Sequence, residues 1–105
     1  MDNMQINILA IGYNPSIMKV VNRLINSHSD WKGYIALSKD AAKSDIKSGA
    51  YDVVLLCVGV STQDETDFRV LITAIGADTS LIRHFGGGSG LLESELRTVL
   101  DKKTL

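Results

Sequence analysis

Asp52-Val53-Val54-Leu55-Leu56-Cys57-Val58 decides the fold. The run is apolar without alternation, so neither of its faces is suited to water. A strand of that kind belongs in the middle of a parallel sheet covered on both sides. Gln5 to Ile11 has the same character and stops at Gly12, Trp31 to Leu37 (Tyr34, Ile35, Leu37) gives another strand, and Thr79 to Phe85 a fourth. Helical patterns separate them. Asn14 is a good N-cap and Pro15 suits the first helical position, where no N–H is needed. Ile17, Val20, Val21, Leu24 and Ile25 then follow at the spacing of one helical face, which ends at Ser27-His28-Ser29-Asp30. Ser38 caps a second helix from Lys39 to Ser48, thinly apolar (Ala41, Ala42, Ile46) and stopped by Gly49. Thr62-x-x-Glu65 reads as a capping box for a third helix, with Phe68, Leu71, Ile72 and Ile75 as its stripe and Gly76 as its stop. A last helix carries Leu92, Leu96, Val99 and Leu100, with Lys102 and Lys103 near its end.

The order β-α-β-α-β-α-β-α gives an α/β fold. It is a small, open, doubly wound parallel sheet with right-handed crossovers and helices on both faces. The expected strand order is 2-1-3-4, a three-layer Rossmann/flavodoxin-like arrangement with its switch point between strands 1 and 3. The 105 residues make one domain, 1–105. Eleven Lys and Arg against twelve Asp and Glu leave a net charge of −1, without the electrostatic footprint of a nucleic-acid binder. One cysteine, Cys57, excludes an intrachain disulfide and any multi-thiolate metal site. Met1 to Met4 hold no Lys or Arg, and Val53 to Val58 is far shorter than the ~20 residues of a membrane helix. A cytoplasmic protein without a membrane partner is the expectation.

Ligands of such sheets bind beyond the carboxyl ends of the strands. Here that edge holds Gly12, Tyr13 and Asn14, then Val60, Ser61 and Thr62, then His84 through Gly90. Gly86-Gly87-Gly88-Ser89-Gly90 can form a nest of N–H groups at a helix start, a cradle for an anionic or phosphate-bearing ligand. It lacks the lysine of the phosphate-binding loop of nucleotide triphosphatases. It also fails the dinucleotide pattern, because Glu93 stands where the last glycine would be. The same glycines equally suit a tight strand-to-helix turn. Cys57 and His84 end neighbouring strands beside this loop, the makeup of a nucleophilic site; a core cysteine and a structural histidine are the plainer reading. Zinc held by Cys57, His84 and His28 is disfavoured, since His28 lies at the far end of the first helix, and no metal is expected. Trp31 and Tyr34 cover the core near the sheet edge, Tyr13 borders the switch-point crevice, and Asp64, Glu65 and Asp67 read as solvated helix-start charges.

Ile8-Leu9-Ala10-Ile11-Gly12-Tyr13-Asn14-Pro15 with its amphipathic helix, and Tyr51 to Cys57 as third strand, resemble a response-regulator receiver domain over about residues 5 to 85. The resemblance implies an acidic, Mg²⁺-holding pair where this chain has Gly12 and Tyr13. It implies a phospho-accepting aspartate where the chain has Cys57, and a lysine after a fifth strand that these 105 residues do not reach. Without carboxylates neither Mg²⁺ nor the phosphoryl group has its partner. The reading is therefore a degenerate, truncated receiver, a pseudo-receiver. Two functions are expected from it. One is a non-catalytic interaction or regulatory module, homodimeric through the fourth strand's edge or the last helix. The other is a small-molecule domain holding an anion at Gly86–Gly90 with His84, Ser61, Thr62, Tyr13 and Asn14, its cofactor unspecified.

Overall fold

The computed structural model describes residues 5–48, 51–76 and 78–84. Four strands, β1 (Ile6–Ile11), β2 (Trp31–Ala36), β3 (Val53–Leu56) and β4 (Ser80–Arg83), alternate with α1 (Pro15–Asn26), α2 (Lys39–Lys47) and α3 (Thr62–Ala74). The sheet is parallel throughout, in the order β2-β1-β3-β4, as the sequence indicates. The last expected helix, the glycine run and Gly49 lie outside the described residues.

The unalternating third strand feeds two cores at once. Val53, Leu55 and Cys57 pack with Ile8, Ala10, Met18, Val21, Ile25 and Trp31 on the α1 side. Val54 and Leu56 join Leu9, Ile11, Ala42, Ile46, Phe68 and Ile72 on the side of α2 and α3. All four β3 residues are fully buried. Each such aliphatic side chain contributes roughly 1.5–3 kcal/mol by leaving water. Among the described residues no helix is long and apolar enough to cross a membrane.

Three expectations change in detail. The face of α1 that meets the sheet is turned from the expected stripe: Met18, outside that stripe, is buried with Val21 and Ile25, while Ile17 and Val20 remain 43% and 44% exposed. The buried row follows i, i+3, i+7, the line along which one helix touches a sheet. The strands are shorter than read, β3 closing at Leu56 and β2 at Ala36, with Leu37 exposed. The cap of α3 is Ser61, whose Oγ accepts from the Asp64 N–H at 3.0 Å, and Thr62 is the first helical residue. Ser61-x-x-Asp64 offers the same chemistry as the capping box one residue later, and backbone position selects it. Asn14 and Ser38 cap α1 and α2 as the sequence indicates, accepting from Ile17 and Ala41 N–H groups.

Candidate functional site

The switch-point crevice lies between the ends of β1 and β3, and this chain fills it with its own groups. Gly12 follows β1 with its N–H on the Ala36 carbonyl. A Cβ at position 12 would fall on the Met18 Sδ and within 3.1 Å of the Cys57 Cβ. No side chain fits there without moving the α1 core. Tyr13 comes next, its N–H donating to the Val58 carbonyl at 3.2 Å. Its ring lies over Gly59, whose φ of +94° is the left-handed backbone that glycine tolerates. The phenol crosses the crevice to donate a 2.8 Å hydrogen bond to Asp64 Oδ2 in the first turn of α3.

Asp64 in turn holds Lys39 of α2, Oδ1 to Nζ 3.1 Å, and the same ammonium bonds Asp67 Oδ2 at 2.5 Å. Gln63 donates to Asp67 Oδ1. The expectation of merely solvated helix-start charges is thus corrected. Asp64 and Asp67 tie α2 to α3, and the Asp64 side chain is only 18% exposed. The titrations follow the contacts. Burial, then the bond to Asp64, pushes the Tyr13 phenol up to about 12. The Tyr13 hydroxyl, then Lys39, holds the Asp64 carboxyl below its ordinary value. Lys39 is raised by Asp67 and then Asp64.

A second cluster closes the β3–α3 loop. Arg83, the last residue of β4, gives its Nε and Nη2 to Glu65 Oε1 at 2.9 and 2.7 Å, and its Nη1 to the Val60 carbonyl at 2.9 Å. Paired this way by two N–H groups, the guanidinium staples β4 to the start of α3. It depresses Glu65 below the usual carboxylate range, with Arg69 helping from one turn on. Sequence reasoning singled out neither Lys39 nor Arg83.

Cys57 and His84 both line one cavity of about 410 Å³, with Ile17, Val21, Val58, Gly59 and Arg83. The cavity lies on the α1 side of the sheet, because Cys57 continues the Val53 and Leu55 row into the α1 core. Cys57 is buried. His28 is elsewhere, stacked on Trp31 with ring centroids 4.0 Å apart. Among the described residues no three metal-ligating side chains converge. Ser61 and Asn14 act as helix caps, Thr62 is exposed, Trp31 is core, and Tyr34 is partly exposed with its ring edge toward Tyr51.

Comparison with known proteins places the fold. The chain resembles the chemotaxis protein CheY4 of Vibrio cholerae at TM-score 0.69 and 14% identity, covering 90% of this chain and 98% of that one. It resembles an orphan response regulator of H. pylori at 0.60 and 14%, covering 94% and 99%. It also resembles a putative pilus assembly protein, cpaE, of Burkholderia thailandensis at 0.61 and 12%, covering 92% and 99%. No family model matches the sequence, and no curated protein is similar to it. The fold is the flavodoxin-like α/β fold seen in receiver domains.

Proposed function

We propose that this chain is a receiver-like regulatory module that works through protein contacts and is not phosphorylated on aspartate. One observation carries the reading: Tyr13 lies across the switch-point crevice and bonds to Asp64, where a cation and a phosphoryl group would need open space and free carboxylate oxygens. Gly12 supports it, because Met18 occupies the volume an acidic side chain would need. Cys57 supports it further, since its thiol faces the α1 core and offers no carboxylate to a phosphoryl donor. The fold shared with a chemotaxis protein and an orphan regulator fits a regulatory role. Incubation with acetyl phosphate and Mg²⁺ tests it by intact mass. The expected result is an unchanged mass, and an acid-stable, hydroxylamine-labile phosphoryl adduct would overturn the reading.

A second reading has one observation in its favour, the cavity shared by Cys57 and His84. It makes the chain a small-molecule domain whose anionic ligand sits on Gly86 to Gly90, which begins two positions after His84. A thermal-shift series of nucleotides, flavins and phosphorylated metabolites tests this second reading, which requires a concentration-dependent rise in melting temperature.

A further inference from the structure

The two edges of the sheet are built differently. In a parallel strand, alternate residues turn their N–H and C=O groups to opposite sides. On β2 the Asp30 and Ala36 carbonyls accept from Ile6 and Gly12, so Trp31, Gly33 and Ile35 face outward. That edge is covered at Trp31 and Gly33. The Trp31 N–H is taken by the His28 carbonyl at 3.2 Å. Asn26, at the end of α1, folds its amide over Gly33. Its Oδ1 accepts the Gly33 N–H at 2.8 Å, and its Nδ2 reaches the Gly33 carbonyl at 3.5 Å. The side-chain amide thereby stands in for a neighbouring strand. Glycine fits beneath it without a shift, whereas a Cβ at position 33 would meet Asn22 Oδ1 at 2.8 Å and Ile25 Cγ2 at 2.9 Å.

On β4 the Ser80 and His84 N–H groups donate inward, to the Asp52 and Leu56 carbonyls. Leu81 and Arg83 therefore face outward, and among the described residues nothing bonds to their backbone groups. A sheet with two open edges joins head to tail into an open polymer, whereas one open edge admits only a closed, self-complementary pair. Deepening the reading that this module works through protein contacts, we infer that a second copy of the chain adds to the β4 edge, antiparallel about a two-fold axis through Leu81, while Asn26 keeps β2 out of the assembly.

The register follows from parity. A two-fold axis perpendicular to the sheet keeps both α1 faces on one side, so residues with odd numbers must meet odd and even must meet even. Centring on Leu81 puts Leu81 opposite its own copy, an apolar pair, and Arg83 opposite Thr79. Asp78 of one copy comes opposite His84 of the other, an acid facing an imidazole, and no like charges face each other.

Sedimentation analysis of the full chain, with the Leu81→Pro and Asn26→Ala variants, tests this. The Leu81 N–H faces away from β3, so proline there removes an edge donor without breaking the β3 ladder. The wild type should run at twice the chain mass, Leu81→Pro at the chain mass, and Asn26→Ala as species larger than the dimer. Backbone hydrogen exchange on the wild type removes dependence on a variant that fails to fold: the Leu81 and Arg83 amides should gain protection as concentration rises. A monomer, a dimer unaffected by Leu81→Pro without such protection, or an Asn26→Ala variant of unchanged mass would overturn the proposal. A dimer that also accepts phosphate would leave it standing and refute only the reading of an unphosphorylated module.

Discussion

The Tyr13 phenol donates to Asp64 across 51 positions of sequence, joining the end of β1 to the first turn of α3. That bond closes the place where ligands of this fold enter. It also gives the tyrosine a spectroscopic signature. Of the chain's three tyrosines, Tyr13 is held up at about 12 by burial and by Asp64, and Tyr51 is raised by burial. Ultraviolet titration of the phenols should therefore show a component ionising near 12. Tyr13→Phe should remove it and cost about 1.5–3 kcal/mol of stability, the worth of a hydrogen bond to a charged group. The folded-state value lies above the unfolded one of about 10. The stabilisation is therefore fully present below pH ~10 and is lost as pH rises through the folded value.

Arg83→Ala removes both bonds to Glu65 and the one to the Val60 carbonyl. The pair is partly solvated, so the expected loss is about 1–2 kcal/mol, read as a lower midpoint of denaturant unfolding. Arg83→Lys should recover only part of it, because an ammonium donates from a single nitrogen and cannot reproduce the guanidinium's fork across Glu65 and the Val60 carbonyl. Equal stability of Arg83→Lys and wild type would show that charge alone holds the loop.

Acid should loosen the α2–α3 seam. Asp64, Glu65 and Asp67 are all lowered by their partners, Tyr13 and Lys39, Arg83, and Lys39 respectively. For a carboxylate depressed in the folded state, stabilisation is present above the unfolded value and is lost as pH falls through the folded one. Thermal midpoints should therefore hold down to about pH 5 and decline below about pH 4. Lys39→Met should flatten that decline, since it removes the cation that depresses Asp67 and supports Asp64.

Local chemistry and the order of the strands were legible in the sequence, and long-range side-chain pairing was not. Asn14-Pro15 announced α1 because cap and proline act within one turn, and β3 announced the central strand because six apolar neighbours admit no other place. The stripe of α1 misjudged its burial: spacing reports which residues share a face, not which edge of that face a flat sheet touches. Arg83 and Lys39 were missed since Glu65 and Asp67 lie 18 and 28 positions from them and only the crossovers bring each pair together. Asn26 was missed for the same reason: an asparagine ending a helix is ordinary until an edge strand is laid beside it. Cys57 and His84 follow neighbouring strands and line one cavity, and alternation along β3 puts the thiol on the α1 side of the sheet.

Tyr13 and Gly12 fill the crevice of this receiver-like fold with the chain's own groups. Titration of the isotopically labelled chain with Mg²⁺, followed through backbone amide resonances, tests it most directly. The Gly12, Tyr13, Cys57 and Val58 amides should stay in place at millimolar Mg²⁺. Saturable shifts converging on those four residues, with loss of the high-pH Tyr13 ionisation, would contradict it.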